Sequence, residues 1–165
     1  MKILGITDSH GCMEYMRRAV QKEQPDLICH LGDCALDAMQ LRQEYFQIPF
    51  LSVPGNCDFP DSETPLVRIT QEAGVKLFLT HGHRYGVKSG LLRLELAAKE
   101  AGCHVAIFGH THAPYCQKAG GLWLLNPGAC QTRLRYGVII IEKGIPLCYN
   151  VANETPEEDV YAAHN

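Results

Sequence analysis

Hydrophobic positions along this chain fall into short runs, and in the first two-thirds nearly every run is closed by a residue able to bind a cation. Lys2 to Thr7 reads as a strand, followed at once by Asp8-Ser9-His10-Gly11. Met16 with Val20, and Tyr15 with Ala19, recur at helical spacing and predict a helix from about Met13 to Glu23, broken at Pro25-Asp26. The next apolar run, Leu27 to Leu31, ends in Gly32-Asp33. Ala38, Leu41 and Tyr45 then mark one side of a second helix over Leu36 to Phe46. Pro49 to Val53 predicts a third strand, closed by Pro54-Gly55-Asn56-Cys57-Asp58.

This β-α-β-α-β order predicts parallel strands joined by crossovers, whose carboxyl ends gather at one sheet edge where such folds place their sites. Asp58 to Thr64 is a loop at the rim of that edge. Pro65 to Thr70 and Val75 to Thr80 predict two strands about a turn at Glu72-Ala73-Gly74, the second ending in His81-Gly82-His83-Arg84-Tyr85-Gly86. Leu91, Leu94, Ala98 and Ala101 form the buried stripe of a helix expected over Val87 to Ala101, with Gly102 as its stop. His104 to Phe108 is the strand that feeds Gly109-His110-Thr111-His112. The last third changes to antiparallel hairpins, with strands at Tyr115 to Ala119, Leu122 to Leu125, Tyr136 to Ile141 and Pro146 to Val151. No linker interrupts the chain, which predicts a single domain over residues 1–152 and an acidic tail over 153–165.

Composition narrows the class. The net charge of −3 gives no electrostatic signal for nucleic acid or an anionic membrane. There is no run of about 20 apolar residues to span a bilayer. The eight cysteines form no C-x-x-C pair, and several sit inside apolar runs, which fits free thiols in a reducing cytoplasm. Charge also comes too early in the chain for a secretory signal core.

Five strands therefore end in candidate ligands: Asp8 and His10; Asp33; Asn56; His81; His110 and His112. Neutral imidazole and carboxylate suit first-row divalent metals. Seven ligands exceed the needs of one tetrahedral ion and suit two ions sharing a bridging carboxylate, roughly 3.5–4 Å apart as in phosphate-ester hydrolases. Taken singly, the aspartates and Asn56 also read as turn residues and helix caps.

Asp-x-His, Gly-Asp, Gly-Asn-x-Asp, a further His and Gly-His-x-His, in that order, resemble the calcineurin-like metallophosphoesterase superfamily, and the Gly-Asn-Cys-Asp and Thr-His-Gly-His variants resemble its compact bacterial and archaeal phosphodiesterase branch. The resemblance runs from residue 1 to about 142. It implies a four-layer α/β/β/α sandwich, two mixed sheets packed face to face with helices outside. It implies that Asp8, His10 and His112 bind one metal, that Asn56, His81 and His110 bind the other, and that Asp33 bridges them. Mn²⁺ is the first choice of metal; Zn, Fe, Co and Ni also match the donor set. The implied function is a phosphodiesterase acting on small phosphate esters, with Asp33, Asn56 and His110 serving catalysis through the metals and a bridging hydroxide.

Around this set, Asp58 is expected either to orient a metal-binding histidine or to cap the following turn. His83 and Arg84 are candidate substrate contacts, against a plain reading as loop cap and solvated cation. A homo-oligomer is compatible with the sequence. The competing class is a metal-binding interaction scaffold, as in the small subunit of the retromer sorting complex, which resembles this family with an eroded site. The complete set of seven ligands favours the enzyme.

Larger family members carry a histidine where this chain has Cys57, and that histidine is understood to protonate the leaving alkoxide. A thiol is a poor proton donor to an alkoxide in this setting, so diesters with acidic leaving groups should be preferred, and diesters over monoesters. The expected result is that Cys57→His raises the rate on an alkyl diester relative to an aryl diester; no relative gain for the alkyl substrate contradicts this account.

Overall fold

The computed structural model describes residues 1–59 and 64–154. Two five-stranded mixed sheets form its centre. The first has the order β10-β9-β1-β2-β3, with β1 (Lys2–Ile6), β2 (Leu27–His30) and β3 (Phe50–Ser52) parallel, and β9 (Leu134–Glu142) and β10 (Ile145–Glu154) antiparallel beside β1. The second has the order β4-β5-β6-β8-β7. Here β5 (Val75–Thr80), β6 (Val105–Ile107) and β8 (Leu122–Asn126) are parallel, flanked by antiparallel β4 (Val67–Glu72) and β7 (Tyr115–Ala119).

Side-chain alternation assigns the layers. Ile3, Leu27, Cys29, Leu77, Leu79, Val105, Ile107 and Ile139 point inward and form one core between the sheets. Their neighbours Leu4, Ile28 and Val138 point outward and pack beneath α1 (Met13–Glu23) and α2 (Ala35–Glu44), against Met16, Ala19, Val20 and Leu41. On the far side Phe78, Ala106, Phe108, Leu122 and Leu124 pack beneath α3 (Leu92–Glu100), against Leu94 and Ala98. A strand has a side-chain period of two, so one sheet can feed two cores at once. The result is the α/β/β/α sandwich.

Helix α1 has the bounds its pattern predicts, and the strands agree with the sequence to within about two residues. The third helix does not. It begins at Leu92 rather than Val87, because turns continue from Gly86 through residue 89 and Gly90, at φ 157°, lies far outside the right-handed helical region. Such backbone cannot continue a right-handed helix. Leu94 and Ala98 of the expected stripe are buried, while Leu91 and Ala101 pack at its margin. Strand β10 runs to Glu154, and the remainder of the acidic tail lies outside the described residues, as does the centre of the 58–64 loop. Among the described residues no helix is long and apolar enough to cross a membrane.

The helix face can be tested directly. Leu94 is fully buried and Leu96 is 57% exposed. By denaturant unfolding, Leu94→Ala should cost about 2–5 kcal/mol and Leu96→Ala no more than about 0.5 kcal/mol; equal losses would contradict this packing.

Candidate metal centre

The carboxyl ends of β1, β2, β3, β5 and β6 meet at one edge of the sandwich. Backbone hydrogen bonds tie the loops that leave them: the Asp8 amide donates to the Gly32 carbonyl at 3.0 Å, and the Gly109 amide donates to the His81 carbonyl at 3.0 Å. The loops also press on one another. A Cβ on Gly55 would overlap the Asp33 carboxylate, and one on Gly109 would overlap the Thr7 hydroxyl. These glycines are required for space, since only a bare backbone lets the ligands of one loop approach the next.

The structure brings the seven predicted ligands together. Asp8, His10, Asp33 and His112 each place one donor atom so that all four lie within 4.8 Å of one another. His112 Nε2 stands 3.1 Å from Asp8 Oδ1. On the other flank, His81 Nε2 is 3.2 Å from Asn56 Oδ1, and the rings of His81 and His110 are 5.1 Å apart. Asp33 faces both groups, with Oδ2 4.0 Å from His10 Nε2 and 3.5 Å from His81 Nε2.

The supporting bonds leave single lone pairs aimed inward. Asp8 Oδ2 accepts from the Thr7 hydroxyl at 2.6 Å and from the His110 amide at 3.1 Å, whereas Oδ1 is buried and receives no hydrogen bond. A buried carboxylate oxygen without a donor is costly unless a cation satisfies it. His81 is fully buried, and its Nδ1–H donates to the Leu31 carbonyl at 2.7 Å, which turns Nε2 toward the carboxylates. The donor set is oxygen and imidazole throughout, and it fits first-row divalent ions.

Electrostatics show how closely these groups are coupled. Burial opposes ionisation of Asp33, but hydrogen bonds from His81 and the Cys57 amide outweigh it and hold the carboxyl well below its usual range. Burial likewise opposes charge on His81, yet Asp33 and Asp8 raise its pKa. His110 is lowered by burial, then by His81 and Lys88.

Backbone strain concentrates at the same place. Nine non-glycine residues among those described have positive φ, and five are Asp8, Asp33, His10, His110 and His112, at 43–67°. Left-handed backbone costs a residue with a Cβ of order 1 kcal/mol or more and persists where surrounding contacts hold it.

Among the described residues Asp58 makes no hydrogen bond to a histidine. Its Oδ1 accepts from the Cys34 and Ala35 amides at 2.8 and 2.7 Å, and its Oδ2 from the Asp33 and Gly55 amides at 3.0 and 2.7 Å. It caps the start of α2, which precedes it in the chain, and so fixes the backbone of Asp33; the turn that follows it runs outside the described residues. His83 stands with its ring 5.5 Å from His81 and 6.1 Å from His110, at the margin of the ligand set, and Arg84 beside it is exposed. Cys57 is exposed, and its thiol pKa is raised by burial and by Asp33.

Two residues outside the ligand set support it. One is Thr7, legible only as a hydroxyl at a strand end. The other is buried Asn126, whose Nδ2 donates to the Gly109 carbonyl at 2.8 Å and to Thr111 Oγ1 at 3.0 Å and so holds the Gly-His-Thr-His turn.

Comparison with known proteins agrees with this geometry. Residues 1–142 match the model of the calcineurin-like phosphoesterase superfamily domain. The probable metallophosphoesterase YsnB of Bacillus subtilis is 32% identical over 149 residues, covering 86% of this chain and 85% of that protein. The phosphodiesterase MJ0936 of Methanocaldococcus jannaschii is 27% identical over 146 residues, covering 79% and 84%. Among solved structures, a conserved uncharacterized protein of Streptococcus pneumoniae superposes with a TM-score of 0.76 at 23% identity, over 91% of this chain and 88% of that one. Vps29 of Entamoeba histolytica superposes at 0.71 with 18% identity, over 92% and 98%. With most of its length matched by the family model and its ligand motifs gathered at one sheet edge, this chain belongs to the calcineurin-like phosphoesterase superfamily.

Proposed function

We propose that this protein is a dinuclear metal-dependent phosphodiesterase acting on small phosphodiesters. The observation that carries the proposal is the position of Asp33, whose Oδ2 faces His10 on one side and His81 on the other. Asp8, His10 and His112 would hold one divalent ion and Asn56, His81 and His110 the other, with Mn²⁺ the first choice. Such ions, when bound, supply Lewis-acid stabilisation of phosphoryl oxygens and lower the pKa of water toward neutrality.

The chain's own part is positioning. Asp58 fixes the Asp33 backbone, and the Cys57 amide donates to Asp33 Oδ1 at 2.9 Å, leaving Oδ2 toward the histidines. Thr7 and the His110 amide occupy Asp8 Oδ2 and leave Oδ1. Asn126 sets the turn that carries His110 and His112. None of these side chains is placed as a covalent nucleophile, so they bind and orient. His83, whose ring lies 5.5 Å from His81 and 6.1 Å from His110, would hydrogen-bond a phosphoryl oxygen, and Arg84 would add positive charge at the rim.

The likeness to Vps29 supports a second reading, an interaction scaffold. The two readings differ in whether the assembled ligands turn over substrate. A metal-reconstituted screen of aryl and alkyl phosphodiesters, phosphomonoesters and phosphonates should show metal-dependent hydrolysis of diesters. Chelation should abolish it, and His110→Ala should lower it by about 10²-fold or more. Metal-replete protein with no activity above the His110→Ala background on any of these substrates would favour the scaffold.

A further inference from the structure

Among the described residues, the outer cover of the first sheet leaves a space at the β3 edge. A cavity of about 200 Å³ lies there between α2 and β3. Ala38, Met39, Phe50 and Phe59 give it apolar walls, and Asp58 and Arg42 also line it. Met39 is 58% exposed and Phe59 94%, so apolar surface continues outward from the mouth. Packed interiors leave few voids larger than a water molecule, and an apolar cavity of about 150 Å³ accepts a benzene ring.

The polar groups in the cavity are distributed unevenly. His30, 1% exposed, also lines it, but both its ring nitrogens are engaged. Nδ1 accepts from the Gly32 amide at 3.3 Å, and Nε2 lies 3.4 Å from a Ser9 hydroxyl that itself donates to Asp37. Burial lowers its pKa to about 4, so it adds no charge. The Asp58 carboxylate is taken up by four backbone amides. Arg42 differs: among the described residues it makes no hydrogen bond or ion pair. The nearby acid Glu44 is held by Arg17 at 2.7 Å and by Gln40 at 3.0 Å. Among the described residues, an exposed guanidinium without a protein partner thus borders an apolar space the size of one ring.

We infer that this cavity binds a small aromatic carboxylate, its ring among Met39, Phe50 and Phe59 and its charge on Arg42. A guanidinium matches the planar fork of a carboxylate. The Asp58 carboxylate in the wall disfavours a dianion such as a phosphate monoester. Asp58 also makes the site an effector site: the residue that lines the cavity fixes the backbone of Asp33, so occupancy acts on the metal centre through one shared side chain.

Binding is read without reference to catalysis, so this inference and the phosphodiesterase proposal can fail separately. The full chain is titrated with 4-fluorobenzoate and followed by fluorine NMR, with uncharged 4-fluorotoluene as the comparison. Saturable binding of the benzoate is expected. Arg42→Gln should weaken it roughly tenfold without changing the affinity for the toluene. Ala38→Leu, which fills the cavity, should abolish both while leaving the unfolding midpoint unchanged or higher. Absence of saturable benzoate binding at roughly 10 mM would overturn the site. So would an Ala38→Leu protein that binds like the wild type, or dimerisation of the wild type that Ala38→Leu prevents, because the occupant would then be a second copy. Mn²⁺ affinity measured with and without saturating benzoate should differ several-fold in the wild type only; an unchanged affinity would overturn the effector role.

Discussion

Four backbone amides, from Asp33, Cys34, Ala35 and Gly55, converge on the carboxylate of Asp58, and the arrangement of the candidate metal centre depends on that convergence. The first turn of a helix leaves amides without partners, and here they belong to a loop whose Asp33 and Cys34 are both left-handed (φ 58° and 89°). A charged acceptor is the strongest available partner for such groups. By taking amides from the ends of β2 and β3 at once, Asp58 locks two ligand-bearing loops together and holds Asp33 in a conformation it would not adopt alone.

The same logic repeats around the sheet edge. Three candidate ligands are fixed by a neighbour that uses one of their polar atoms: Thr7 on Asp8, the Leu31 carbonyl on His81, the Cys57 amide on Asp33. Gly32, Gly55 and Gly109 also leave room for His81, Asp33 and Thr7 from neighbouring loops. Strain, close approach and buried charge therefore coincide at one place, and the well-packed sandwich beneath supplies the stability that tolerates them. The constellation is an arrangement of loops held against one another on a rigid scaffold, as binding sites on α/β sheets usually are.

Much of this was legible in the sequence, for a physical reason. Strand periodicity is local, and a polar residue that closes an apolar run must emerge at a strand end, so the seven ligands could be placed at one edge without coordinates. The start of α3 was not legible, because the turns over residues 87–89 and the non-helical backbone of Gly90 (φ 157°) show only in the backbone, not in the hydrophobic stripe that begins at Leu91. The bonds that Asp58 makes to the start of α2 were not legible either. Its partners are 23 to 25 residues upstream in the chain, apart from Gly55, and sequence spacing favours local caps. Positive φ at residues other than glycine is likewise imposed by tertiary contacts and has no local signature.

The account's central claim is that two cations share Asp33. Anomalous diffraction from crystals of the Mn²⁺-loaded protein tests it most directly. Two peaks are predicted on either side of the Asp33 carboxylate, roughly 3.5–4 Å apart, one among Asp8, His10 and His112 and one among Asn56, His81 and His110. A single peak, or two peaks that do not share Asp33, would contradict it.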